Sequence, residues 1–118
     1  FKRFVKKDIG TGEGASGSTV YTVPSSSSTA MESIVIGITI ANKSTAGITC
    51  DVFLDALGGA SDDVYIVKDA SIPAGSSLEV MSGNKLVLQG DGTNNDILKM
   101  TSSTASAADG IVSVLEDV

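Results

Sequence analysis

The chain of 118 residues lacks histidine and tryptophan and has one cysteine. Without histidine, neither a Ser-His-Asp triad, nor a Cys-His pair, nor a histidine-containing zinc site can be built. The single cysteine excludes an intrachain disulfide and an all-cysteine metal site. Because Cys50 alternates with Ile48, Val52 and Leu54, we expect a buried thiol rather than a reactive one. These absences predict a protein that is not an enzyme, with no catalytic residue, no cofactor and no metal site.

Aromatic residues are also scarce, with three phenylalanines and two tyrosines, so the core must be aliphatic. Thirteen glycines and many serines and threonines lie between β-branched residues, which favours short strands joined by turns. No apolar run approaches the roughly 18 residues that a bilayer-spanning helix needs, and no signal-peptide pattern is present. We therefore expect one small soluble domain without a membrane partner.

Positive charge is concentrated at the start of the chain. Residues 1–7 hold four of the eight basic residues, whereas residues 8–118 hold fourteen acidic residues and four basic ones. An acidic body repels nucleic acid and does not suit sequence-specific binding to it. We predict a basic N-terminal arm with a flexible connector at 1–18 and a β-sandwich domain at 19–118. The candidate docking residues of the arm are Phe1, Lys2, Arg3, Phe4, Lys6 and Lys7.

Two readings of this arm remain open. Phe1 and Phe4 are large apolar groups in a segment too short for a core of its own, so they would anchor either into this domain or into a partner. The simpler alternative is a solvated terminus.

The most regular segment is Ser33–Asn42, which has isoleucine at positions 34, 36, 38 and 40. Side chains of a strand alternate between its two faces, so this spacing predicts a strand with a continuous isoleucine row facing the core. A polar turn at Asn42–Gly47 and a second alternating segment at Ile48–Leu54 follow. We predict that these two strands form a hairpin.

Further alternating segments bring the total to about eight short strands, spaced roughly 10–15 residues apart. Turns are predicted at Gly58–Asp63 and Ser82–Asn84, among others. No convincing amphipathic helix separates the strands, which argues against a parallel βαβ fold. The predicted fold is all-β: an antiparallel β-sandwich, jelly-roll-like, with an extended N-terminal arm.

The remaining candidates for chemistry have simple structural explanations. Asp51 and Asp55 would lie about 13 Å apart on the outward face of one strand, where we expect solvated charges rather than a glycosidase pair. Gly90–Asp96 resembles a calcium loop in composition but lacks the EF-hand order, so a plain turn is expected. Ser102–Ala108 carries only small side chains, so it would either lie against another subunit or turn a corner, and the corner is favoured.

Several stretches, taken in order, resemble small virion structural proteins of tailed phages, especially phages of marine cyanobacteria. The stretches are Phe1–Asp8, Ile38–Lys43 with Ile48–Leu54, Val67–Val80 with its Ile-Pro-Ala-Gly-Ser-Ser-Leu turn, Lys85–Gln89, and Ala107–Glu116. Gly90–Asn95 departs from the pattern, because a shorter turn is expected there.

The resemblance implies a non-enzymatic component located in the virion, with other virion structural proteins of the capsid, neck or tail as partners. Head decoration, with docking through the N-terminal arm, is the leading hypothesis, and a neck, tail or fibre accessory protein is the alternative. A homo-oligomer is expected. A hypothesis from another class is a carbohydrate-binding module, for which Tyr21, Phe53 and Tyr65 are the candidate aromatic residues.

Overall fold

The computed structural model describes residues 1–13, 16–24, 31–56, 63–81, 85–91 and 93–116. Nine strands lie within these residues: β1 (Lys2–Lys6), β2 (Ser18–Thr22), β3 (Met31–Asn42), β4 (Ile48–Asp55), β5 (Asp63–Ile72), β6 (Ser77–Glu79), β7 (Leu86–Gly90), β8 (Ile97–Ser102) and β9 (Ala108–Glu116). The turn predicted at Ser82–Asn84 and most of the one predicted at Gly58–Asp63 lie outside the described residues.

The strands form two antiparallel sheets. The first sheet has the order β1-β9-β3, with β6 and β7 both pairing with the far edge of β3, and the second has the order β2-β8-β4-β5. An almost entirely aliphatic core joins the two sheets. It includes Val35, Ile38, Val112 and Val114 from the first sheet and Val52, Leu98 and Met100 from the second. The prediction of an all-β, sandwich-like fold is confirmed.

Strand β3 runs along β9 at the centre of the first sheet, but its isoleucines do not form one continuous row. The register shifts after Val35, where the extra residue Ile36 forms a bulge. A bulge adds one residue to one strand and so reverses the faces of the residues that follow. Ile38 and Ile40 are fully buried in the core, whereas Ile36 is 40% exposed and Ile34 is half-buried on the outer face. The prediction of a continuous buried row was wrong.

The predicted hairpin was also wrong, because β3 and β4 lie in different sheets. The five residues between them cross from one sheet to the other instead of making a tight turn. Asn42 is buried at this crossing: its amide nitrogen donates to the carbonyl oxygens of Ala46 (2.8 Å) and Ile72 (3.0 Å), and its amide oxygen accepts from the Ser44 amide (2.9 Å). Asn42 thereby links the first sheet to β5 in the second.

An extended N-terminal arm is not confirmed. Residues 2–6 form the edge strand β1, which pairs antiparallel with β9. Phe4 packs against the core, with its ring centroid 4.6 Å from that of Tyr21. In the predicted flexible connector, Ile9 is fully buried and its amide donates to the Ala108 carbonyl oxygen at 2.8 Å. The start of the chain is therefore built into the sandwich.

Candidate functional site: the apolar face of the first sheet

The outer face of the first sheet carries a group of large apolar side chains, here called the apolar face. Its members are Val5, Ile34, Ile36, Val87, Ile111 and Leu115. Five of the six are 40–59% exposed, and Ile34 is half-buried. They face outward because the residue before each of them lies on the inner side of the sheet.

Strand pairing brings these six residues together from four strands. Val5 lies opposite Ile111, while Ile34 lies opposite both Val87 and Leu115. The bulge adds Ile36 beside them. An uncovered apolar area on one sheet face is typical of a surface that contacts another macromolecule.

A depression of about 370 Å³ lies against one end of the apolar face. Ile34, Val87 and Leu115 supply apolar walls, and Glu32 and Glu116 supply acidic ones. Glu116 already pairs with Lys2 at 2.8 Å, so the exposed Glu32 is the carboxylate at this end that a positive charge beside an apolar group could meet.

The charges around the apolar face are divided between its two edges. Arg3 lies on β1 at one edge of the sheet, and Glu79 lies on β6 at the other. Both side chains lie on the same outward side of the sheet as the apolar face. Arg3 does so because it precedes Val5 by two residues on β1. Glu79 does so because it pairs with Thr39, which pairs on its other side with Ile111. Both are exposed, and neither has an ion pair among the described residues.

The predicted docking residues do not all point to one surface. Phe4 packs inside the sandwich, and the Lys2 ammonium forms an ion pair with Glu116 (2.8 Å). The remaining four residues are exposed on or beside β1: Phe1, Arg3, Lys6 and Lys7.

Tyr21 joins β1 to the body of the domain through a buried network. Its hydroxyl donates to Glu116 (2.8 Å) and is 2.7 Å from the Ser33 hydroxyl. Burial raises the pKa of Tyr21 to about 12. The hydrogen bond from Lys2 lowers the pKa of Glu116, with the Tyr21 hydroxyl acting in the same direction. These contacts connect β1, β2, β3 and β9.

The aromatic residues proposed for sugar binding do not form an exposed platform. Tyr21 and Phe53 are 2% and 0% exposed. Tyr65 is 40% exposed, but its ring packs against Phe53 with a centroid distance of 5.2 Å. These positions lend no support to a carbohydrate-binding module, which needs an accessible aromatic surface.

The prediction that Asp51 is a solvated charge was wrong, because this residue is 4% exposed. Its carboxylate accepts hydrogen bonds from the Asp69 amide (2.7 Å) and from the Lys68 ammonium (3.1 Å). Asp69 has a positive φ of 52°, at a register shift between β4 and β5. Asp51 therefore stabilises an irregular segment of the edge strand β5. Asp55 is also paired, since it lies 3.3 Å from Lys99, and its side chain is 13% exposed.

Glu13, from the connector between β1 and β2, reaches the same place on the second sheet. It accepts hydrogen bonds from the Tyr65 hydroxyl (3.1 Å) and the Lys68 ammonium (3.4 Å). A hydrogen bond with the Asp51 carboxyl group raises the pKa of Glu13. Burial acts to raise the pKa of Asp51, but its hydrogen bonds outweigh burial and hold that pKa below its usual value. The contacts among Glu13, Asp51, Tyr65 and Lys68 hold the connector against the second sheet.

Two other predicted loops have structural roles. In the glycine-rich loop, the Asp91 carboxylate accepts from the amides of Thr93 (2.8 Å) and Asn94 (2.7 Å), and these bonds lower the pKa of Asp91. That geometry agrees with the predicted plain turn. Residues 103–107 connect β8 in the second sheet to β9 in the first, as expected for a corner. No group of three or more acidic or cysteine side chains is arranged to hold a metal ion within the described ranges.

Sequence reasoning missed the apolar face because it depends on which strands are neighbours. A usable signal was present in β9, where Ile111 and Leu115 are apolar on one side of the strand and Val112 and Val114 are apolar on the other. A strand that is apolar on both sides predicts two covered faces.

A scan against known protein families finds no match to this chain, and a search of curated proteins finds none with significant similarity. In the part of the chain that the structure describes, no helix is long and apolar enough to cross a membrane.

Proposed function

We propose that this chain is a non-enzymatic structural component of a tailed-phage virion, with head decoration as its leading role and a neck, tail or fibre position as the alternative. The observation that carries the proposal is the apolar face, an uncovered surface on a domain whose other large apolar side chains mostly lie in the core. Such a surface suits permanent contact with protein. The resemblance of the sequence to virion proteins supplies the kind of assembly.

The strand order supports a jelly-roll topology. In a jelly roll an antiparallel ribbon is wrapped into two sheets, so the first strand pairs with the last and the second pairs with the one before it. Here β1 pairs with β9, β2 with β8, β3 with β7 and β6, and β4 with β5. Strands β6 and β7 would together take the place of the single strand that pairs with the third strand of a jelly roll. Jelly rolls occur in viral capsid domains as well as in lectins, so this topology agrees with a particle protein.

The β1 edge is the proposed docking element, in place of a free arm. Its outer backbone groups have no strand partner within the described residues, and Lys6 and Lys7 lie exposed at its end. An open edge can accept a strand from another protein, and lysines restrict that pairing to acidic partners. Phe1, which is 90% exposed, would be the apolar anchor. The partners would be other virion structural proteins.

The first experiment is a measurement of the protein's copy number in purified virions by quantitative mass spectrometry. Hundreds of copies would support head decoration, and a dozen or fewer would support the neck or tail. Absence of the protein from purified particles would overturn the proposal.

A second experiment tests docking with particles that lack the protein. Purified chain carrying the double change Lys6→Glu and Lys7→Glu should fail to co-sediment, whereas a Lys85→Glu control, changed at an exposed lysine before β7, should bind normally. Normal binding by the double variant would exclude the β1 edge as the docking element.

A further inference from the structure

We infer that the apolar face binds the same face of a second copy of this chain, with a twofold axis parallel to the strands. The inference specifies a surface for the expected homo-oligomer and does not depend on a role in a virion. Three observations carry it: the size of the apolar face, the division of charge between its edges, and the position of the bulge.

The size of the apolar face fits the centre of a dimer interface. From the exposed fractions of its residues, it offers on the order of 400 Å² of apolar side-chain surface, which is as large as the biggest patches on typical monomers. A stable interface buries about 800 Å² on each partner, of which somewhat more than half is apolar. The apolar face and a polar rim of similar area would therefore supply a complete interface.

The charges make this face complementary to itself in one orientation. Arg3 pairs with Ser113, which pairs with Gly37, and Glu79 pairs with Thr39, two residues further along β3. Arg3 and Glu79 are therefore at opposite edges of the sheet but only about 7 Å apart along the strand direction.

A twofold axis parallel to the strands exchanges the two edges, so Arg3 of each copy lies over Glu79 of the other. A twofold axis across the strands would instead place the β1 edge of one copy, with its basic residues, over the β1 edge of the other copy. Opposite charges therefore favour the first arrangement, and like charges disfavour the second.

The bulge fits the same arrangement. With an axis between β3 and β9, the β3 strand of one copy lies over the β9 strand of the other. The outward Ile36 side chain then faces the level of Ser113, a small side chain flanked by the larger Ile111 and Leu115. An apolar side chain over a small residue is the kind of close packing by which sheets stack about 10 Å apart.

The oligomeric state of the isolated full chain, measured by sedimentation velocity, tests the inference without any virus particle. The wild type should be a dimer. Ile111→Glu places a charge inside the interface, on the strand beside the proposed axis, and should weaken the dimer by 100-fold or more, which corresponds to about 3 kcal/mol. The matched control is Val64→Glu, at a position 57% exposed on β5 of the second sheet, and it should leave the dimer intact.

A charge exchange tests the axis with substitutions at exposed positions that should not disturb folding. Arg3→Glu and Glu79→Arg should each weaken the dimer about tenfold, and the two changes together should restore most of its affinity. A dimer that the double change does not restore would overturn the proposed orientation.

Other outcomes would reject the dimer itself. A wild-type chain that is monomeric at ~100 μM, well above the Kd of ordinary stable dimers, would assign the apolar face to a different protein. A trimer, or a dimer broken by Val64→Glu but not by Ile111→Glu, would equally overturn the inference. None of these results would change the copy number measured in virions. The proposed function is therefore tested by that measurement, independently of the dimer.

Discussion

Replacing Phe4 with alanine tests whether the start of the chain is a structural strand or a free arm. Phe4 is half-buried and packs against the core, and its ring contacts Tyr21 at a centroid distance of 4.6 Å with an angle of 53° between the planes. A free arm would tolerate the loss of this ring without any change in stability. A strand of the sandwich would not.

The expected loss of stability follows from these contacts. Burying most of a phenylalanine side chain contributes about 2 kcal/mol, and a tilted ring pair adds about 1 kcal/mol. Because Phe4 lies on an edge strand, its neighbours can close part of the gap that alanine leaves. We therefore expect the free energy of unfolding to fall by about 2–3 kcal/mol, which for a domain of this size corresponds to a decrease in Tm of roughly 10 °C.

Urea denaturation followed by circular dichroism is the suitable assay, since the chain has no tryptophan for fluorescence. Phe1→Ala is the matched control: the residue type is the same and the position precedes the same strand, but the side chain is 90% exposed. That variant should differ from the wild type by less than about 0.5 kcal/mol. Equal midpoints for Phe4→Ala and the wild type would refute the assignment of β1 to the sandwich.

Three further changes test other parts of the molecule. Burial raises the pKa of Tyr21 to about 12, so the fold favours its neutral form, and the wild type should lose about 2 kcal/mol of stability as the pH rises from 10 to 12, because the unfolded chain releases the phenolic proton first. Urea midpoints over that range should show a smaller loss for Tyr21→Phe. Asp51→Ala removes the buried acceptor of the Asp69 amide and should lower the free energy of unfolding by roughly 2–4 kcal/mol, measured in the same way at neutral pH; an unchanged midpoint would contradict the structural role of Asp51. Deleting Ile36 should leave β3 in regular register with its core residues in place, whereas deleting Ile38 should also remove the extra residue but put Gly37 opposite Val112, in the core position of Ile38. The second deletion should therefore lower the free energy of unfolding by roughly 3–5 kcal/mol more than the first; urea midpoints distinguish the two, and equal losses from both deletions would exclude a bulge at Ile36.

The local parts of the fold were predictable from the sequence. Alternation placed strands at Ser33–Asn42 and Ile48–Leu54, and the structure has Met31–Asn42 and Ile48–Asp55. Burial of Cys50 was likewise predicted from its alternating neighbours and is confirmed at 1% exposure. Period-two patterns depend on a few adjacent residues, which is why they can be read without the rest of the chain.

Strand pairing was not predictable in the same way. The partner of β3 along most of its length is β9, which begins 66 residues after β3 ends. Strands adjacent in sequence are often neighbours in a sheet, and this tendency led to the wrong β3–β4 hairpin. Both strands bury one full face, and crossing between the sheets lets those faces meet across the core.

The burial of Asp51 was unpredictable for a related reason. Its position on β4 was assigned correctly to the side away from the core, where solvent was expected. That side is covered at this point by Lys68 from the neighbouring strand and by Glu13 from a connector that is far away in sequence. Only tertiary structure brings the three charges together.

The bulge at Ile36 connects the core of this protein to its candidate interface. In a regular strand, the isoleucines at 34, 36, 38 and 40 would all face one side. The extra residue divides them, so Ile34 and Ile36 join the apolar face while Ile38 and Ile40 fill the core. One short run of a single residue type therefore serves both folding and surface contact. It follows that polar substitutions in the first pair should act on association, whereas those in the second pair should act on stability.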